Sequence, residues 1–206
     1  MKQDTLNKIT GGSFLTTPIN ESTIFSREDF TDEHKEIESM VKGFCKETVA
    51  PVTNQLEKKD KELTFSLLKK IGELGLMGVE VPEEYGGMEL DKITGAIVAE
   101  ASSYSECSSF VVTWSTNLGI GSLPIVWFGT PAQKEKYLPR LISGTSLGAY
   151  GLTEPSSGSD ALSAKTTAVL SDDGRHYILN GEKVFITNGG WADVYTVFAK
   201  VDGEKF

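Results

Sequence analysis

The chain has 206 residues, of which 39% are hydrophobic and 24% are charged, a composition typical of a globular protein with one large domain or two modest ones. The formal net charge of −9 at pH 7 argues against a nucleic-acid partner, because phosphate-backbone binding needs a concentrated surface of Lys and Arg. Cys45 and Cys107 have neither CxxC nor Cys/His spacing, which argues against a metal site and a disulfide framework. This pattern predicts two buried or half-buried thiols in a reducing compartment.

The N-terminal segment, residues 1–27, is polar and is predicted to form an irregular arm. Residues 1–26 contain two lysines, no arginine and no unbroken apolar core, a pattern that fits neither a secretory signal nor an Arg-rich transit peptide. We therefore expect a cytoplasmic location. Residues 109–133 carry no charge, but their Ser, Thr, Asn, Gly and Pro content makes them a poor membrane span, so no transmembrane segment is expected.

Helical periodicity extends over residues 31–144. The predicted helices cover residues 31–50, 64–74 and 91–101, the uncharged segment with a break near 119–124, and residues 130–144. Thr31 and Asp91 are predicted N-caps, and Thr130-Pro-Ala-Gln133 has the sequence of a capping box with proline in the first turn. The first 144 residues are therefore predicted to be all-helical.

Beyond Gly148 the hydrophobic period changes from about 3.6 to 2, which predicts a sheet. The predicted strands cover residues 165–170, 176–179, 183–187 and 193–201. Asp172-Asp173-Gly174 is a predicted turn, and Asn180-Gly181 is the strongest hairpin signal of the chain. The pattern predicts an α+β multidomain fold, with an all-α domain over residues 28–145 and an antiparallel β-domain over residues 146–206.

Two segments have the composition of a ligand site. Tyr150-Gly-Leu-Thr-Glu-Pro-Ser-Ser-Gly-Ser-Asp160 and Lys183-Val-Phe-Ile-Thr-Asn-Gly-Gly190 each close an apolar stretch with hydroxyl residues and glycines. Such residues let backbone N–H groups and short side chains approach a polar, flat or anionic ligand. The alternative for Ser156-Ser157-Gly158-Ser159 is a plain surface loop, and the alternative for Asn188-Gly189-Gly190 is a β-turn.

Together and in this order, the two segments resemble the flavin-binding segments of the acyl-CoA dehydrogenase family. The resemblance begins near residue 28 and includes Val81-Pro-Glu-Glu-Tyr-Gly-Gly87, Gln133-Lys-Glu-Lys-Tyr-Leu-Pro139 and Leu179-Asn-Gly-Glu-Lys183. It implies FAD as the cofactor. The positions that match flavin contacts of the family are Tyr150, Leu152, Thr153, Phe185, Ile186 and Thr187. Gly158 and Ser159 match the turn near the flavin phosphates, and Ser159 also matches a position that contacts the acyl-CoA substrate.

The resemblance gives these residues chemical roles. A flavin ring is flat, with apolar faces and hydrogen-bonding atoms along its edges. Thr153 and Thr187, each at the end of an apolar stretch, are expected to supply edge donors, and Phe185 is expected to supply an apolar wall. Many family members have tryptophan at the position of Phe185 and a smaller Gly/Ala pair at Ser156-Ser157, so flavin tuning and loop shape are expected to differ here.

The implied reaction is the FAD-dependent α,β-dehydrogenation of a fatty acyl-CoA to a trans-2-enoyl-CoA, as in fatty acid β-oxidation, with an electron-transferring flavoprotein as the electron acceptor. In the family the catalytic base is a glutamate of a C-terminal helical bundle, and no segment of this chain corresponds to that bundle. No catalytic residue is therefore assigned in this chain. We expect an incomplete β-domain and a fragment of a homo-oligomeric enzyme, with Gly11-Gly-Ser-Phe-Leu15 resembling the branch related to very-long-chain enzymes.

Alternatives remain at this stage for the activity and for the uncharged helix. The chain is also compatible with a flavin oxidase of the same fold, or with a non-catalytic truncated fragment that acts as an interaction module. The small residues of the uncharged segment, Ser115, Thr116, Gly119 and Gly121, either leave depth for a long acyl chain or allow tight helix packing.

Overall fold

The computed structural model describes residues 15–16 and 25–203, and the chain divides into two compact units, residues 1–36 and 37–206. Of the predicted N-terminal arm, residues 1–14 and 17–24 lie outside the described residues. Thr31 caps helix α1 (Asp32–Phe44) as predicted, since its Oγ1 accepts a hydrogen bond from the backbone N–H of His34 at 3.1 Å.

The helices after α1 lie in the second unit. They are α2 (Thr53–Leu56), α3 (Lys61–Glu73), α4 (Lys92–Ser102), α5 (Ser108–Thr116), α6 (Leu123–Phe128) and α7 (Pro131–Ile142). Polar side chains cap three of them, α3, α4 and α7. Asp91 caps α4, and Thr130 caps α7 with a complete capping box, as predicted. Helix α3 begins earlier than predicted because the carboxylate of Asp60 accepts from the backbone N–H of Leu63 at 3.0 Å.

Two π-helical turns interrupt the regular helices, Cys45–Val49 after α1 and Asn117–Gly121 after α5. The predicted helix end before Pro51 is wrong, because helical turns continue through a 3₁₀ turn, Ala50–Val52. A proline is tolerated in the first turn of a helical segment, where its missing N–H has no partner to lose. The predicted break in the uncharged segment is confirmed, and the second π turn is part of that break.

The core of the second unit lies among its helices. Its largest fully buried side chains include Leu68, Ile71, Met77, Phe110, Trp114 and Leu138. Cys45 and Cys107 are buried free thiols, as predicted, and burial raises the pKa of the Cys45 thiol to about 11. Phe110 and Trp114 anchor α5 in this core. Helix α5 is therefore firmly packed and can support the segments that contact it.

The strands form two small sheets. They are β1 (Gly148–Gly151), β2 (Thr167–Leu170), β3 (Tyr177–Asn180), β4 (Val194–Val197) and β5 (Lys200–Val201). Strand β1 pairs with β4 in parallel, with Gly148 opposite Val194, whereas β2 pairs with β3 antiparallel and with β5 in parallel. The α+β organisation is confirmed, but among the paired strands of the described residues only β2 and β3 are antiparallel.

The largest difference from the sequence-based expectation lies after β3. The predicted hairpin at Asn180-Gly181 is wrong, and residues 183–187 form no strand. The other predicted turn, Asp172-Asp173-Gly174, is confirmed, since it joins the antiparallel strands β2 and β3. Gly181 allows the chain to pass close to Thr166, because a Cβ on Gly181 would lie 2.2 Å from Thr166 Oγ1. Residues 193–201, predicted as one strand, are divided between β4 and β5.

Within residues 15–16 and 25–203, none of the helices combines the length and apolar character that a membrane crossing requires.

Candidate functional site

A cavity of about 170 Å³ lies where the end of β1 and the loop after β3 meet the helical domain. Its lining residues are Thr116, Ile120, Tyr150, Leu152, Thr153, Phe185, Ile186 and Thr187. Six of the eight expected flavin-contact residues therefore lie around one cavity, although they come from segments more than 30 positions apart. The other two expected contacts, Gly158 and Ser159, are exposed and are not among the lining residues.

The two sequence segments of the cavity are joined directly. The backbone N–H of Val184 donates to the carbonyl of Thr153 at 3.0 Å, and the ammonium of Lys183 donates to the carbonyl of Leu152 at 3.0 Å. These bonds replace the strand pairing that the sequence predicted for residues 183–187. The loop after β3 is thus joined to the end of β1 by individual hydrogen bonds of Lys183 and Val184, and not by a regular series of strand hydrogen bonds.

Thr153 and Thr187 are both half-buried in the cavity wall. Their hydroxyl groups make no hydrogen bond to another group within residues 15–16 and 25–203. A half-buried hydroxyl without a protein partner is free to bond to a ligand. Such a bond is favourable, because a hydroxyl left unpaired in a closed site costs free energy. The two threonines therefore provide available donors from two segments of the chain that line the cavity.

Phe185 has an unusual conformation. Its φ is +57° and its side chain is 93% exposed. The left-handed region is rare for a bulky residue and stores strain, which is commonly found at functional positions. The predicted strand geometry at Phe185 is wrong, but the residue is nevertheless among those that line the cavity.

Two asparagine side chains attach the cavity segments to the helices at Gly148. Asn117, fully buried in the π turn, accepts from the N–H of Gly148 at 2.7 Å and donates to the carbonyl of Leu141 at 2.9 Å. Asn188 donates to the carbonyl of Gly148 at 3.1 Å and to that of Thr113 at 3.2 Å. The N–H and the carbonyl of Gly148 are therefore each hydrogen-bonded to an asparagine side chain.

Sequence reasoning missed these amide contacts. Asn188 does lie in a turn, with the N–H of Gly189 bonded to the carbonyl of Ile186 at 3.0 Å, but its side chain also reaches α5. Asn117 lies within an uncharged helical run that predicts only burial. Ile120, a further cavity residue, was not predicted either, because the π turn that carries it leaves no sequence signal.

The small residues of the uncharged segment have different environments. Gly121 packs closely on Gly148, where a Cβ added to Gly148 would lie 2.8 Å from the Gly121 Cα. A Cβ on Gly119 would meet no atom within 4 Å, and Thr116 lines the cavity. Tight packing therefore accounts for Gly121, and open space borders Gly119.

Gly158 and Ser159 lie in a compact surface turn. The backbones of Glu154 and Ser157 exchange hydrogen bonds of 2.9 and 3.1 Å, and Ser157 Oγ donates to the carbonyl of Asp160 at 2.6 Å. A Cβ on Gly158 would meet no atom within 4 Å. The described chain therefore gives no steric reason for glycine at this position.

The family assignment follows from comparison with known proteins. The family model for the N-terminal domain of acyl-CoA dehydrogenases matches residues 31–145, and the model for the middle domain matches residues 149–205. The chain belongs to the acyl-CoA dehydrogenase family. The resemblance recognised from the sequence motifs is thereby confirmed.

Individual relatives agree with this assignment. A probable acyl-CoA dehydrogenase of Bacillus subtilis (strain 168) is 52% identical over 196 residues, which make up 95% of this chain and 33% of that protein. The mitochondrial very long-chain specific acyl-CoA dehydrogenase of Homo sapiens is 44% identical over 173 residues, which make up 84% of this chain and 26% of that enzyme. The chain thus spans about a third or less of these relatives.

A solved structure shares the fold. The crystal structure of an acyl-CoA dehydrogenase complexed with FAD from Bacillus anthracis matches with a TM-score of 0.88 and 51% sequence identity. The match covers 95% of this chain and 33% of that protein. Acyl-CoA dehydrogenases of known structure therefore contain the helical domain and sheet region described above.

Proposed function

We propose that this chain supplies one wall of an FAD site in an acyl-CoA dehydrogenase. The observation that carries the proposal is the convergence of Thr153, Thr187, Phe185 and their neighbours on one cavity. The FAD complex of the Bacillus anthracis relative, at 51% identity, supports the identity of the ligand.

The residues present fit a flavin. The cavity offers two hydroxyls with no partner in the described chain, which suits the hydrogen-bonding edges of the ring. The exposed face of Phe185 and the half-buried side chains of Leu152 and Ile186 suit its apolar faces. The fit thus rests on the kind of groups that line the cavity, in addition to the family assignment.

Each segment then has a defined task. Thr153 and Thr187 orient the ring by hydrogen bonds, while Tyr150, Leu152 and Ile186 keep water from its surface. The turn with Gly158 and Ser159 offers backbone N–H groups and a hydroxyl to phosphate oxygens, and Ser159 contacts the acyl-CoA. FAD, when bound, supplies the oxidising power, and the protein supplies its placement.

The complete enzyme, in this proposal, removes an α-proton and a β-hydride from a fatty acyl-CoA to give the trans-2-enoyl-CoA of β-oxidation. It acts in the cytoplasm as a homo-oligomer and passes electrons to an electron-transferring flavoprotein. The base is not assigned to Glu154, since hydrogen bonds already occupy its carboxylate and its buried position gives a substrate no access.

Flavin titration of the 206-residue chain tests the proposal. Bound flavin changes its fluorescence and its visible absorption bands, so the dissociation constant is measurable directly. Thr187→Ala is expected to weaken binding about 2- to 10-fold, the effect of one net hydrogen bond. Thr48→Ala, at a half-buried threonine outside the cavity, is the matched control and is expected to bind as the wild type does.

Two results would contradict the proposal. The first is the absence of saturable flavin binding by the wild-type chain up to millimolar concentrations. The second is equal affinity for the Thr187→Ala and wild-type chains when circular dichroism shows both to be folded.

A further inference from the structure

A largely buried ion pair connects the two segments that line the cavity. The ammonium of Lys183 and a carboxylate oxygen of Glu154 are 2.8 Å apart, with side chains 13% and 5% exposed. The same ammonium donates to the carbonyl of Leu152 at 3.0 Å. Lys183 therefore holds both the backbone and a side chain of the segment that contains Thr153.

Glu154 extends this connection to a third part of the chain. Its two carboxylate oxygens accept from the backbone N–H of Lys165 at 2.6 Å and from that of Thr166 at 2.9 Å. Burial opposes ionisation of this carboxyl, but the N–H of Lys165, the ammonium of Lys183 and the groups of Thr166 hold the pKa of Glu154 well below its usual range. The pair is thus charged and well satisfied by hydrogen bonds.

A buried pair of this kind is not needed for stability alone, because apolar replacement of both partners is often neutral or stabilising. Here its position suggests another role. Residues 183–187 form no strand, so no ladder of backbone hydrogen bonds sets their distance from the end of β1. The contacts that do so are those of Lys183 and the Val184 N–H, which bonds to the carbonyl of Thr153.

We propose that Glu154 and Lys183 are positioning residues, which hold the Leu152–Thr153 backbone and the Phe185–Thr187 loop at the separation that the flavin site requires. This inference rests on the proposed function for its ligand. The side chains of the pair touch the backbone next to the ligand-contacting residues and act through them.

The test separates positioning from simple stability. Lys183→Met removes the ammonium and keeps the chain length. Glu154→Gln keeps the shape and removes the charge, and it retains an acceptor for one of the two backbone N–H groups. The double variant Glu154→Gln/Lys183→Met leaves no unpaired buried charge, so its thermal midpoint is expected to return towards that of the wild type. Its flavin dissociation constant is nevertheless expected to stay about tenfold above the wild-type value, because the anchor on Leu152 is lost.

A second measurement needs no flavin. Hydrogen exchange of the Val184 amide reports on its bond to Thr153, and exchange of the Val98 amide, in the buried part of α4, reports on the core. In the double variant we expect Val184 to exchange about tenfold faster, with Val98 unchanged. Lys165→Met is the matched control, since its side chain is exposed, and it is expected to change neither quantity.

The outcomes distinguish this inference from the proposed function. A folded double variant with wild-type flavin affinity and wild-type Val184 exchange overturns the positioning role. If the wild-type chain binds no flavin, the proposed function fails, and the exchange of Val184 alone then decides whether the pair positions the two segments.

Discussion

Asn117→Ala is expected to destabilise the chain strongly, because Asn117 is fully buried and connects the helices to the first strand of the sheet region. The substitution leaves the N–H of Gly148 without its partner, which costs about 1–3 kcal/mol for a buried donor. Leu141 is affected less, because its carbonyl also accepts from the N–H of Gly144 at 3.3 Å. Losing the bond from the Asn117 amide to the Leu141 carbonyl costs about 1 kcal/mol.

The sum of these free-energy terms predicts a measurable shift of the urea unfolding midpoint. Alanine recovers up to about 0.7 kcal/mol of helix propensity, so the net loss in the free energy of unfolding is expected to be about 1.3–4 kcal/mol. With a urea dependence of about 2 kcal/mol per molar, the unfolding midpoint falls by about 0.7–2 M. Urea unfolding followed by circular dichroism measures this shift.

Asn54→Ala provides the control, since Asn54 lies exposed in the short helix α2. A surface change of this type is expected to stay within about 0.5 kcal/mol. A difference below about 1 kcal/mol between the two variants would refute the assignment of Asn117 as the link between helices and sheet.

Three further predictions concern the cavity and its surroundings. Phe185→Gly is expected to leave the thermal midpoint equal or higher, because glycine relieves the left-handed φ of +57°, while flavin affinity falls; a lower midpoint with unchanged affinity would contradict this. Gly158→Ala is expected to be neutral or to stabilise by about 0.4–1 kcal/mol, since the added Cβ meets no protein atom and φ is not left-handed, and to weaken flavin binding in a titration; equal affinity would remove this turn from the site. The lowered pKa of Glu154 means that its carboxylate contributes stability above its unfolded-state pKa of about 4.3, and that this contribution is lost as pH falls towards the folded-state value. The difference in urea midpoint between wild type and Glu154→Gln should therefore shrink from about pH 6 to about pH 3, and a constant difference would contradict the sign.

The local signals of the sequence were sufficient for much of the helical part. Asp91 and Thr130 were predicted as caps and cap α4 and α7, because a cap is made by residues two or three positions away. The hairpin turn at residues 172–174 was predicted for the same reason. The motif resemblance also named six residues that the structure brings to one cavity, although their roles stay predictions until flavin binding is measured.

Residues 183–187 show where such reasoning failed. Their short run of apolar residues predicts a strand, yet they form a loop that borders a cavity. Such a short run does not by itself specify a strand, and the left-handed φ of Phe185 interrupts any extended conformation here. The choice between them depended on whether a neighbouring strand was available for pairing, and β1 pairs instead with β4.

Taken by itself, the sequence determined the family, the order of helices before strands, and the helix starts that depend on neighbouring residues. Only the tertiary structure decided that Asn117 and Asn188 hold Gly148, and that Lys183 joins Leu152 and Glu154. These contacts bridge about 30 or more positions of the chain, and each is made by a residue type that is equally common on ordinary surfaces. Their partners are chosen by the packing of helix against sheet, which no local pattern encodes.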